Sequence, residues 1–413
     1  MTPPSGQELE KYAGLILEIG LNLQAGQRLA IEAPIESADL VRKLAVQAYQ
    51  LGARLVTVVW LDDQIRLGRF RYAPRDSFEE YPVWKAKILG EYAENGDAVL
   101  RIHAEDPDLL KNQDPQLVSI WQRTRLKHRK ALSDVVTRDG TNWCIASVPI
   151  PSWAAKVFPD LPAEQQMEKL WEAIFMTTRT DQPDPVDLWK EHIRQLKARS
   201  RWLTERQFLE LHYIAPGTDL RIGLPEGHQW ESGSIIAKNK IEFTPNLPTE
   251  EVFTIPHKDR VQGVVSSSKP LSYAGNLIDD FQLRFEKGRV VEYRAGRGEE
   301  TLRGLIETDE GSHRLGEVAL VPHSSPISQS GVFFYNTLFD ENAACHLALG
   351  RGIRSCLPNG PQMSQEQYEA AGGNDSLLHV DFMVGSNQLD IDGLLPDGSR
   401  QAVMRKGEWA FEV

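Results

Sequence analysis

The sequence predicts an α/β domain over residues 1–200, followed by an α+β mixed-sheet domain over residues 201–413. Three observations predict it. The first hundred residues alternate helix and strand patterns, a βαβ succession that calls for a parallel sheet. From about residue 205 the strands become short and the turns dense, as in GTDLRIGLPEGHQW (217–230). The chain has 413 residues, 41% apolar and 25% charged. At roughly 150 residues per domain that is enough for two or three ordinary globular domains.

The elements follow in order. Leu9, Tyr12, Ala13, Ile16, Leu17 and Ile19 recur at helical spacing. RLAIEA (28–33) reads as a strand. Ser37 is the expected N-cap of a helix whose apolar face is Leu40, Val41, Leu44, Ala45 and Ala48, and Gly52 closes it. RLVTVVWL (54–61) is nearly continuously apolar and β-branched, which predicts a strand buried on both faces. DAVLRI (97–102) predicts a third strand. Residues 105–200 read as mostly helical, broken at VFPDLP (157–162) and DQPDP (181–185). The domain boundary is expected near 200, after the charged helix HIRQLKARSRWL.

Composition excludes several functions. The formal charge is −12, against the basic footprint that phosphate backbones or a polybasic membrane anchor require. No run of 18 apolar residues occurs, and the N-terminus lacks the charge and apolar core of a secretory signal, so a soluble, cytoplasmic protein with no nucleic-acid or membrane partner is expected. Cys144, Cys345 and Cys356 are too few and too scattered for a Cys-rich zinc module, and reduced thiols are expected. GxGxxG, GxxxxGK[ST], HExxH and GxSxG are all missing, which argues against a dinucleotide site, a P-loop, a single-zinc peptidase helix and a serine hydrolase.

Chemistry-bearing residues gather in the second half, where unpaired charge in apolar sequence is expensive. In LLHVDFMV (377–384) a strand would turn His379 and Asp381 to one side and Leu378, Val380 and Phe382 to the other. The pair suits a divalent metal, or a hydrogen-bonded pair in the core. In NTLFDENAACHLALG (336–350) a helix is expected through Ala343, Ala344, His346, Leu347 and Leu349, with Asp340 as its cap. Glu341 and His346 would then lie about 140° apart, on no common face. Glu317 opens the apolar strand of RLGEVALVP and reads either as a ligand or as an edge charge facing water. Glu250 and Glu251 are adjacent, so in extended chain at most one faces a site. Together these carboxylates and imidazoles, without thiolates, suit two divalent ions sharing a carboxylate.

NLPTEEVFT, RLGEVALVP, NTLFDENAACHLALG and HVDFMVGS resemble, in order and interval, the signature segments of the thermophilic aminopeptidase T and aminopeptidase S family of metallopeptidases. The likeness extends to GLNLQAGQRLAIEAPIE, TNWCIASVP and TDQPDPVDLW. It implies a metal-dependent aminopeptidase acting on short peptides, a catalytic, metal-binding C-terminal domain, and a homodimer. It implies Glu251, Glu317, Glu341, His346, His379 and Asp381 as ligands of two divalent ions (zinc, or cobalt or magnesium), with Glu317 bridging and Glu317 or Glu251 taking the water's proton. Glu250 is the alternative to Glu251. The family's Tyr seven residues after the His is here Ile353, with Tyr335 and Tyr368 the candidate substitutes. That departure supports a second reading, a non-catalytic member that binds metal or peptide; a third reading is a metal hydrolase of a non-peptide amide.

Overall fold

The computed structural model describes residues 4–136, 140–273 and 276–413. The chain is a mixed α/β fold of two compact units. One comprises Met1–Glu191 with Ser234–Pro248, the other His192–Gly233 with Thr249–Val413. The change of unit at residue 191 falls inside the helix Pro185–Arg206, and the segment 234–248 belongs with the first unit.

The first unit is built on four parallel strands, β1 (Arg28–Pro34), β2 (Leu55–Leu61), β3 (Ala98–Ile102) and β4 (Trp143–Ala146), in the order β2-β1-β3-β4. Strand β1 lies between two neighbours and is buried over nearly its whole length. The apolar run of β2 is an edge strand instead, with Leu55 and Trp60 exposed, so the expectation of burial on both faces fails. Continuous apolarity marks β propensity here, and position in the sheet decides burial. Strand β4, within the stretch expected to be mostly helical, pairs with β3 and is bridged at Ile145 by Asn246 of the returning segment. The helix Ala38–Gln50 buries Leu40, Val41, Leu44 and Ala48 as expected, but Ser37 does not cap it with its side chain; its hydroxyl donates back to the Pro34 carbonyl at 2.6 Å.

The second unit contains a nine-stranded sheet and a five-stranded antiparallel sheet. The five strands are β5 (Glu231–Ser232), β6 (Val252–Thr254), β7 (Leu315–Leu320), β8 (His346–Gly350) and β9 (His379–Met383), in the order β9-β8-β7-β6-β5. One hydrophobic cluster draws on both sheets: Leu220, Ile222, Val265 and Phe285 from the larger, and Val318, Leu347 and Phe382 from the smaller. The small sheet therefore has a core face, and its other face is left for polar chemistry.

The segment around His346 corrects the expectation of a helix. A short helix, Thr337–Asp340, is followed by a 3-10 turn, Glu341–Ala343, and then by strand β8. The N-cap is Asn336, whose side chain accepts from the Leu338 N–H, and the Asp340 carboxylate accepts instead from the backbone N–H groups of Phe334 and Asn336. HLALG is too short and too uniformly apolar for periodicity to separate strand from buried helix. Pairing on both sides, to β7 and β9, decides for the strand.

Candidate metal centre

Residues directly opposite one another in an antiparallel sheet point to the same face. Glu317 on β7 lies opposite Ala348 on β8, which lies opposite Asp381 on β9. His346 stands two residues from Ala348, and His379 two from Asp381, so both imidazoles join that face. On β6, Phe253 is paired with Ala319 of the same face, and Glu251, two residues earlier, follows it. Their neighbours Val318, Leu347, Phe382 and Val252 turn into the core. Ala319, Ala348 and Gly350 are small, which leaves the face open where the polar side chains converge.

A one-residue bulge sits between Leu315 and Glu317, where the register with β8 shifts. The residue inside it is Gly316. A Cβ there would collide with the carbonyl oxygens of Gly350 and Arg351, so the bulge tolerates no side chain. This bend aims Glu317 inward, and it is only 5% exposed. The alternative of an edge charge facing water is excluded, since β7 is the middle strand of the five.

Donor atoms of Glu251, Glu317 and His346 lie within 4.8 Å of one another, and so do those of Glu317, His379 and Asp381. Glu317 belongs to both groups. Within the first, His346 Nε2 is 3.1 Å from Glu251 Oε2. Within the second, His379 Nε2 is 2.9 Å from Glu317 Oε2 and 3.3 Å from Asp381 Oδ1. Glu341 stands beside the two groups and outside both. It lines a cleft with Asp381, and its side chain is 3.5 Å from Asn342 Nδ2. Glu250 turns away from the cluster to His192, at 3.4 Å.

The remaining ring nitrogens are engaged by backbone. His379 Nδ1 is 2.6 Å from the Arg351 carbonyl, and His346 Nδ1 is 3.2 Å from that of Ala344. A carbonyl accepts only, so each Nδ1 carries a hydrogen when it bonds, and the two Nε2 atoms face the carboxylates. This is the arrangement in which histidine binds a metal, the second nitrogen fixing tautomer and ring orientation.

Charge crowding marks the same place. Burial, with the charge of Glu251 and Asp381 nearby, pushes the Glu341 carboxyl well above the ordinary carboxylate range. Burial also raises Glu317, although His379 opposes it. Burial would lower both imidazoles, but the carboxylates outweigh it: Glu251 chiefly holds His346 at about 10, and Asp381 with Glu317 lifts His379 well above its ordinary value. Burial would raise Asp381, and His379 outweighs it. Four carboxylates around two imidazoles in a buried place call for cations. The donor set is oxygen and imidazole without thiolate, which fits hard or borderline divalent ions. Cys345 neighbours His346 but faces the other way, with its thiol against Val321.

Tyr335 and Tyr368, the candidate substitutes for the family Tyr, are not among the residues lining that cleft. Tyr368 is fully buried in a small apolar cluster with Ile255, Cys356 and Leu357, against which Ile353 packs. Asn342 was missed by sequence reasoning. It is completely buried, accepts from the Glu250 N–H at 2.7 Å and donates to the Leu338 carbonyl at 3.2 Å, tying the Glu250–Glu251 segment to the Glu341 turn. Gly316 was also missed, although a glycine directly before an inward carboxylate is a readable sign of a bulge.

Likeness to known proteins makes the chain a metallopeptidase. The profile of the family described as thermophilic metalloprotease (M29) matches residues 5–409. Aminopeptidase 2 of Geobacillus stearothermophilus is 48% identical, covering 98% of each chain, and aminopeptidase AmpS of Bacillus subtilis is 46% identical, covering 98% of this chain and 99% of its own. The solved structure of wild-type AmpT from Thermus thermophilus superposes with a TM-score of 0.93 at 43% identity, over 98% of this chain and 99% of that one. The chain belongs to the thermophilic metalloprotease (M29) family, the aminopeptidase T and aminopeptidase S family that its motifs resemble, and is a metallo-aminopeptidase. The comparisons give no support to the reading of a member that has lost activity.

Proposed function

We propose that the chain hydrolyses the N-terminal residue from short peptides, using two divalent ions held by Glu251, Glu317, Glu341, His346, His379 and Asp381. The observation that carries this reading is the pair of donor groups sharing Glu317. One carboxylate common to two ligand sets is what a bridged pair of cations needs. Such cations, when bound, acidify water and polarise a peptide carbonyl.

The chain's own residues do the rest. Glu251, Glu317, His346, His379 and Asp381 hold the charge, with Glu341 at its edge. Glu317 or Glu251 accepts the proton of the attacking water and returns it to the leaving amine, a general acid–base role. The acidic surroundings of Asp381 and Glu341 suit a free α-amine, which distinguishes an N-terminal substrate from an internal peptide bond. The second unit is, in this reading, the catalytic and metal-binding domain of a cytoplasmic homodimer.

The test is amino-acid release from di- and tripeptides by chelator-treated protein, with and without added Zn²⁺, Co²⁺ or Mg²⁺. Release that depends on the added ion and disappears in Glu317→Gln is expected. Turnover indifferent to both the chelator and the substitution would overturn the reading.

A further inference from the structure

The first unit holds a charged cluster of its own at the carboxyl ends of β1 and β3. In the order β2-β1-β3-β4, the chain leaves β1 toward one edge of the sheet and β3 toward the other. Between those two strands the connections part, which is where open α/β sheets leave a crevice for ligands. Glu32 and Arg101 stand at this point, paired in register across β1 and β3. Glu105 follows β3, Asp63 and Arg66 follow β2, and the helix Pro115–Val136 brings Trp121, Arg125 and Arg129.

Four guanidiniums meet three carboxylates here, among the described residues. Arg129 donates to Glu32 at 2.7 and 3.0 Å, and Arg66 pairs with Asp63. Glu105 is shared loosely by Arg101, at 3.4 Å, and Arg66, at 3.7 Å. Arg125 has no carboxylate. Its guanidinium lies over the Trp121 ring, 5.3 Å from the centroid, and among the described residues it makes no hydrogen bond or ion pair. The Nε of Arg101 is a buried donor without a hydrogen-bond partner, 3.9 Å from Glu32 Oε2. His103 adds no charge at neutral pH, since burial and then Arg101 hold it at about 4. The cluster therefore carries one surplus positive charge, on a half-buried guanidinium near those of Arg101, Arg129 and Arg66. A half-buried charge without a counter-ion costs stability, and proteins keep such costs chiefly where a site needs them.

We propose that this crevice binds the carboxylate of a small organic acid, with the Arg125 guanidinium and Arg101 Nε as its donors. A planar guanidinium matches a carboxylate through paired N–H groups, and the Trp121 face steadies that of Arg125. One negative charge completes the balance. A phosphate dianion overshoots it beside Glu32, Asp63 and Glu105.

The probe is sodium trifluoroacetate, followed by its fluorine line width in the metal-loaded protein. Saturable broadening is expected, reversed by acetate. Arg125→Met is expected to weaken binding about tenfold or more, the scale of a lost hydrogen bond to a charged group, and Arg125→Lys to keep part of it. Because Arg125 meets no carboxylate in the free protein, Arg125→Met is expected to melt no lower than native in carboxylate-free buffer. A crystal soaked in the probe is expected to place its carboxylate against Arg125 and Arg101. Equal broadening by native and Arg125→Met, probe density confined to the metal centre, or a lower melting temperature of Arg125→Met in that buffer would overturn the proposal. Displacement of the probe by inorganic phosphate at lower concentration than acetate would overturn the choice of carboxylate. None of these readouts depends on peptide hydrolysis.

Discussion

Glu250 and Glu251 are neighbours in the chain and face opposite ways: Glu251 meets His346 at 3.1 Å, and Glu250 meets His192 at 3.4 Å. The extended backbone at the start of β6 imposes this alternation. It separates the two carboxylates as candidate ligands, which the sequence left open.

Glu251→Gln is therefore expected to lower the metal content of purified protein and reduce kcat/KM at least about a hundredfold, the scale of a lost acid–base group. Glu250→Gln is expected to keep the metal. Metal per chain, measured by plasma mass spectrometry on both variants, checks this. The opposite ranking would move the ligand assignment to Glu250.

Chelation should destabilise the second unit. A ligand that binds only the folded state adds about 2.7 kcal/mol when present at a hundred times its dissociation constant. Removing divalent ions is expected to lower the melting temperature, and readdition to restore it. Calorimetry on chelated and reloaded protein decides; identical melting curves would argue against a cation at these carboxylates.

Gly316→Ala places a methyl group against the carbonyl oxygens of Gly350 and Arg351, so the bulge must open. Glu317 then loses its aim. Metal affinity is expected to fall by about ten- to a hundredfold, as for disturbed support of a ligand. Titration of chelated protein with Zn²⁺ measures it, and an unchanged affinity would show that the bulge does not position Glu317.

A second buried charge lies in the first unit. Glu32 on β1 is 2% exposed and takes two hydrogen bonds from Arg129, at 2.7 and 3.0 Å. Burial would raise its pKa, but Arg129, with Arg101 and Arg125, outweighs burial and holds it below the ordinary 4.5. A carboxylate with a lowered folded pKa contributes stability that is complete above the unfolded value and is lost as pH falls through the folded one. Stability is thus expected to drop below about pH 4.5, more steeply in native protein than in Glu32→Gln. At neutral pH, Glu32→Gln leaves Arg129 without its counter-charge, at a cost of about 3–5 kcal/mol. Denaturant melts across pH 3–7 test both expectations.

Much was legible along the chain. The alternation in LLHVDFMV put His379 and Asp381 on one side, and their side chains do lie 3.3 Å apart. The βαβ start gave a parallel sheet. Other features were not legible, for physical reasons. HLALG holds good helix formers, and only its pairing with β7 and β9 makes it a strand. The apolar run Leu55–Leu61 reads alike in the centre or at the edge of a sheet, because hydrophobicity does not encode sheet position.

Residue types and their order determined by themselves the family, the acidic and thiolate-free donor set, and the period-2 faces of β9, because these are local or countable properties. Which carboxylates meet was decided only by tertiary structure. Glu251, Glu317, His346 and Asp381 are separated by tens of residues, and their approach depends on strand register, the Gly316 bulge and the small side chains of β8. Those are properties of how strands pair, and a single strand's sequence does not contain its partner.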